Sequence, residues 1–163
     1  MPSAKVRVIP PLSMRRAALT LILVGWANAL LGQGTILFQN NNFLFPLDRL
    51  VYFGEVGSEK LIGTNYAAAL YYTLPGLTDL ILVPGAIRLF RLPTTTLPGT
   101  WNPQPTAAID LPGVPIGATT ILQVRVWDIQ QFETWEAAMV GGGLHGESNS
   151  FVYAATCWPS SAD

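Results

Sequence analysis

The sequence predicts an all-β fold: an antiparallel β-sandwich, immunoglobulin-like or jelly-roll-like, preceded by an N-terminal signal-peptide helix. Three observations predict it. Thirteen prolines and fifteen glycines in 163 residues mark many turns and leave little room for long helices. About seven short strand-like runs lie between those turns, as in a sandwich. The longest run, Ala118 to Asp128, alternates with a period of two. One parity gives Leu122, Val124 and Val126, an aliphatic face for a core. The other gives Ile121, Gln123, Arg125 and Trp127, a mixed face expected to meet solvent, with the Trp127 ring covering the Arg125 stem.

The N-terminus comes first in order. Lys5, Arg7, Arg15 and Arg16 precede the apolar run Ala17 to Leu31, and Ala27 and Ala29 flank Asn28 as a small-x-small cleavage site. A basic region, a short apolar region and such a triplet make a secretory signal peptide. The apolar run is shorter than the ~20 residues a bilayer-spanning helix needs. Gly32, Gln33 and Gly34 then end the helix-forming sequence. The expected domains are residues 1–32 as signal, 33–157 as the β-sandwich and 158–163 as a short tail, with cleavage after Ala29 or near Gln33.

Mature sequence opens with a strand carrying Ile36 and Phe38 on one face, broken by Asn40, Asn41 and Asn42. Leu50 to Phe53 reads as a second short strand, with Gly54 to Gly57 as its turn. Tyr66 to Thr73 is rich enough in alanine for a helix. Its aromatics at 66, 71 and 72, and the Leu74-Pro75-Gly76 stop, favour a strand with Ala68, Leu70 and Tyr72 inward. Leu77 to Val83 is apolar and ambiguous, closed by Pro84-Gly85, and Ala86 to Leu92 alternates as another strand. Pro93 to Pro105 is irregular, and Leu111 to Gly117 is a turn-rich approach to the long strand. Gln130 to Met139 fits a short helix or a wide loop. Gly141 to Gly143 reads as a flexible joint, and Ser148 to Ala154 as the last strand.

Charge narrows the partners. Nine basic side chains face ten acidic ones. Removal of the four basic residues in 1–32 leaves five against ten, a net charge of −5. A mildly acidic domain whose Arg49, Lys60, Arg88, Arg91 and Arg125 are scattered offers no footprint for nucleic acid or anionic lipid. Cys157 is the single cysteine, so no intramolecular disulfide forms. The remaining ~130 residues rely on their apolar core, which that length can supply.

Taken together, the signal peptide, Gly34-Thr-Ile-Leu-Phe-Gln-Asn40, Gly63-Thr-Asn-Tyr-Ala-Ala-Ala-Leu-Tyr71, Leu122-Gln-Val-Arg-Val-Trp-Asp128 and Gly146-Glu-Ser-Asn-Ser-Phe151 form a familiar order. In that order the chain resembles secreted bacterial proteins of the PEP-CTERM sorting-signal type over most of residues 33 to 154. The resemblance implies export and an all-β fold, and it carries no established activity. Proteins of this type end in a Pro-Glu-Pro motif, an apolar span and a basic end. This sequence instead ends Cys157-Trp-Pro-Ser-Ser-Ala-Asp163, which predicts a released product with no stable membrane anchor after cleavage.

Three constellations bear on chemistry. Gly146-Glu-Ser148-Asn-Ser150 beside His145 lacks the last glycine of a nucleophile elbow and any surrounding α/β pattern; Cys157 with His145 has nothing to lower a thiol pKa. Asp128 with Glu133 or Glu136 would suit sugar hydrolysis only as a pair about 5–10 Å apart across a cleft. Trp101 and Trp135, in turn-rich segments, are candidates for stacking on a sugar or a protein partner, or for plugging the core ends. A calcium site through Asn40, Asn41, Asn42 and Asp48 does not match the spacing of an EF-hand loop, so no cofactor is expected. The function expected is that of a secreted, non-catalytic structural or adhesive module, not an enzyme. Its partner would be an extracellular polysaccharide, a protein or further copies of the chain. The alternative is a carbohydrate-binding module or a minor glycoside hydrolase.

Overall fold

The computed structural model describes residues 32–41, 49–105 and 107–157. Ala27 and Ala29, Asn42 and Asp48, and the tail 158–163 lie outside the described residues. Within them the fold is all-β with one short helix. Its elements are β1 (Gln33–Leu37), β2 (Tyr66–Tyr72), β3 (Ile81–Leu89), β4 (Ala108–Pro115), β5 (Thr119–Asp128), α1 (Trp135–Gly141), β6 (His145–Glu147) and β7 (Phe151–Ala154). Every strand pairing is antiparallel. A two-stranded ribbon joins β1 to β4, and a five-stranded sheet runs β3-β2-β5, with β6 and β7 sharing the far side of β5.

The alanine-rich run is a strand for a reason visible in its burial. Ala67 through Tyr72 are all buried, because β2 lies between β3 and β5 with both of its faces covered. Small side chains there let layers approach from both sides. Ala68, Leu70 and Tyr72 face the main core, together with Leu122 of β5, Val83 and Ala86 of β3, and Ile109, Leu111 and Val114 of the ribbon. Val124 and Val126 pack against the same core. Ala67, Ala69 and Tyr71 face a second, smaller core with Trp127, Trp135 and Ala138.

That second core corrects the reading of the long strand. Trp127 does not meet solvent; it is 1% exposed, and Gln123 is buried too. α1 covers this face, which the alternation of β5 alone does not reveal. The helix is set by local chemistry: the Thr134 side chain accepts from Ala137 N as an N-cap, and Gly142 takes a left-handed φ of 69° at the C-cap.

Pro84-Gly85, expected to close the run Leu77 to Val83, and Pro112-Gly113, expected in a turn-rich approach to the long strand, both lie within strands. In β3, Val83 to Ala86 all oppose Leu70. In β4, the register jumps from Leu111 to Pro115 while β1 advances only from Gly34 to Gln33. Both are bulges at sheet margins, where a proline forfeits no ladder bond. The bulge in β4 turns Val114 fully into the core. Leu50 to Phe53 is no full strand. It forms a narrow hairpin, with Phe53 N donating to Glu59 O (2.8 Å), Leu61 N to Val51 O (2.8 Å) and a bridge between Tyr52 and Lys60.

The final segment ties the two sheets together. After β7 pairs with β5, Ala155 N donates to Ala118 O (2.8 Å), and Thr156 O accepts from Thr35 N of β1 (2.8 Å). The approach is close enough that a Cβ on Gly34 would lie 2.3 Å from the Ala155 Cβ, so glycine is required there.

Candidate functional site

The side chains richest in chemistry meet on the α1 face of the sheet. β2 brings Tyr71, β5 brings Gln123 and Arg125, the first turn of α1 brings Trp135 and Glu136, and β6 brings Glu147. The Arg125 guanidinium lies 4.2 Å from the Tyr71 ring centroid and 4.0 Å from that of Trp135, held between the two rings. Its Nη1 donates to Glu136 Oε1 at 3.0 Å and its Nε to Gln123 Oε1 at 2.9 Å, while Glu147 Oε2 stands 3.8 Å from Nε. A planar, delocalised cation suits such a slot because it stacks on both faces and still donates from its edge.

Register explains the meeting. Ala69 opposes Arg125, Tyr71 opposes Gln123, and Arg125 opposes Glu147, so all point to one face. Tyr71 Oη donates to Glu136 Oε2 at 3.2 Å. Its pKa is pushed up to about 12, first by burial and then by the Glu136 charge and hydrogen bond, against the opposing pull of Arg125. The arrangement clamps α1 to the sheet by stacked rings and an ion pair. Arg125 keeps only 14% of its side chain exposed, whereas Glu136 and Glu147 remain about half exposed at the rim.

The other sequence candidates are dispersed. Trp101 is 5% exposed, its ring 4.8 Å from Phe38 and its Nε1 donating to Phe38 O at 3.2 Å. Trp135 is 6% exposed and its Nε1 donates to Gly146 O at 3.0 Å. Both indoles therefore have their surfaces occupied by the protein itself. Asn40 donates through Nδ2 to Arg49 O (3.0 Å) and Gly99 O (2.9 Å), and its Oδ1 accepts from Trp101 N (3.2 Å). That amide is a buried plug organising the Trp101 loop. Asp128 accepts from Gln130 N and Gln131 N with one oxygen and from Gln131 Nε2 with the other. Glu136 is paired with Arg125, and Glu133 is exposed. Ser148 Oγ accepts from Val124 N (3.0 Å) and donates to Asn149 O (2.9 Å), bridging the gap between β6 and β7. His145 Nδ1 contacts Gly143 O at 2.8 Å, and its ring meets Trp135 edge-on. Cys157 is exposed. Gln33 opens β1.

A separate cleft of about 350 Å³ lies between β3 and β4, lined by Gln33, Pro84, Gly85, Arg88, Pro105 and Asp110 among others. No group of three or more His, Cys, Asp or Glu that could hold a metal ion occurs among the described residues, and no described helix is long and apolar enough to cross a membrane.

The cluster on the α1 face was not evident in the sequence, because it joins four elements. One local signal pointed toward it: Thr134 followed by Trp135-Glu136 is a helix start that sets an aromatic and a carboxylate in the first turn. The chain matches no protein-family model, no curated protein and no solved structure.

Proposed function

We propose that the chain is an exported, non-catalytic structural or adhesive module, secreted from the cell and built as an asymmetric β-sandwich. In that arrangement the β1/β4 ribbon forms the thinner layer and α1 covers the outer face of the larger sheet. One observation carries this reading: the side chains that chemistry would need serve as scaffold. Ser148 bridges a broken strand, Asp128 caps a turn, and Glu136 and Arg125 clamp the helix. A nucleophile or general acid needs a hydrogen-bond geometry directed at a substrate, and these groups point at backbone and at one another. The partner is then an extracellular protein or further copies of the chain, met through the outer surface.

The test is a screen of the chain recovered from an exporting bacterial host against a glycan array and against glycoside and ester substrates. N-terminal sequencing of the same sample reads the export claim. The expected result is a product beginning between Leu30 and Gly34, with neither sugar binding nor turnover. Sugar binding abolished by Trp135→Ala would replace the proposal with a carbohydrate-binding module. Turnover abolished by Asp128→Asn would replace it with a hydrolase. A product still beginning at Met1 would overturn export.

A further inference from the structure

The outer side of β3 ends the five-stranded sheet, and no described strand lies beyond it along Ile81 to Ile87. Such a margin invites a strand from another molecule. The side chains along it add to the hazard, since Ile81, Leu82, Ile87 and Leu89 are 41%, 39%, 39% and 42% exposed. Exposed aliphatic residues on a free strand are the ordinary material of edge-to-edge association.

The backbone bonds show which groups face outward. Phe90 N donates inward to Tyr66 O, and Arg88 pairs with Ala68, so residues 88 and 90 present their backbone groups to β2. Residues 87 and 89 then present theirs away from it. The Leu89 carbonyl is taken by Asn102 N at 2.9 Å, and Arg91 N donates to Thr100 O at 3.2 Å, so the 100–102 segment covers that end. The next outward carbonyl, that of Ile87, accepts from Arg88 Nη1 at 2.9 Å. The same nitrogen donates to Gly85 O at 2.6 Å. Pro84, beside them, has no N–H to offer a neighbouring strand.

We propose that Arg88 guards this margin, its guanidinium occupying the Ile87 and Gly85 carbonyls so that β3 of a second copy cannot pair there. An incoming strand must displace a cation already bonded to both carbonyls. Arg88 is 6% exposed, so the guanidinium is held against its own strand and is not free to turn away from those carbonyls. Pro84 and the bulge at Val83 to Ala86 reinforce the block by breaking the run of donors.

The test is Arg88→Met in the full-length chain, which keeps a long stem and removes the guanidinium. Light scattering coupled to size exclusion is read over a range of concentrations beside the wild type, so association through residues outside β3 is common to both. The expected result is a mass that rises with concentration in Arg88→Met beyond the wild-type level. Adding Ile87→Lys should reverse it by placing a charge on the open stretch of the same margin. Near-ultraviolet circular dichroism checks the fold. Should the methionine variant unfold, Arg88→Gln, whose short amide cannot span both carbonyls, must show the same rise. A folded variant with wild-type mass at every concentration overturns the proposal, and so does a rise that Ile87→Lys leaves unchanged.

Discussion

Replacing Arg125 by methionine tests the clamp that holds α1 on the sheet. The substitution preserves a long apolar stem and removes the guanidinium. Each of its two ring contacts, at 4.2 and 4.0 Å, lies in a slot largely shielded from water and contributes about 1 kcal/mol. The bond to the buried Gln123 Oε1 adds about 1 kcal/mol, since its loss leaves an amide oxygen without that donor. The ion pairs add little, about 0.5 kcal/mol, because both carboxylates are half exposed and screened. The expected loss is therefore about 3.5 kcal/mol, read as a lower midpoint in urea denaturation followed by tryptophan fluorescence. Arg125→Lys keeps the charge and gives up the planar stack, and should lose about 1–2 kcal/mol. Glu136→Gln should lose less than about 1 kcal/mol. The order Met, Lys, Gln is the essential result. If Glu136→Gln costs as much as Arg125→Met, the ion pair and not the ring slot holds the helix, and the reasoning fails.

Two further outcomes follow from the same face. Gly143→Ala places a Cβ 2.1 Å from Phe132 Cε2, so unfolding should become easier by about 1–3 kcal/mol, and Phe132→Leu in the same chain should recover part of that loss in a double-mutant cycle. Tyr71 titrates near 12 when folded against an ordinary value of 10, so the folded state holds a proton that the unfolded state has released. Stability from this group is complete below pH 10 and declines as pH rises toward 12. Phenolate absorbance with pH-dependent denaturation measures it, and Tyr71→Phe should remove that part of the decline.

The all-β class was legible because turn residues punctuate the chain and β5 alternates cleanly. Tyr66 to Tyr72 was legible through its aromatics despite three alanines. What was hidden depends on contacts between distant elements. Trp127 looks solvent-facing on its strand, and only a helix nearby in sequence, folded back across β2 and β5, buries it. Pro84-Gly85 reads as a stop and Pro112-Gly113 as part of a turn-rich approach, since punctuation residues carry no mark of lying at a sheet margin where a bulge absorbs them. Gly141 to Gly143 reads as a joint, yet Gly141 and Gly143 lie against the Phe132 ring, leaving no space for a side chain. Small residues announce both freedom and tight packing, and the sequence does not distinguish the two. The Arg125 slot was hidden for the first reason, being assembled from four elements.

The bond between Thr35 and Thr156 has a consequence for the timing of folding. These residues stand 121 positions apart, so β1 gains its second neighbour only when nearly the whole described chain has been made. β4, its first neighbour, is itself more than seventy residues downstream. The strand synthesised first is thus among the last to be secured. Long-range pairing of this kind places folding on the slow side, in milliseconds to seconds, because the entropy of closing large loops is spent before the contacts repay it. On a growing chain β1 therefore stays without its sheet partners until β4 and then Thr156 have been made, and its backbone groups are held by water in the meantime.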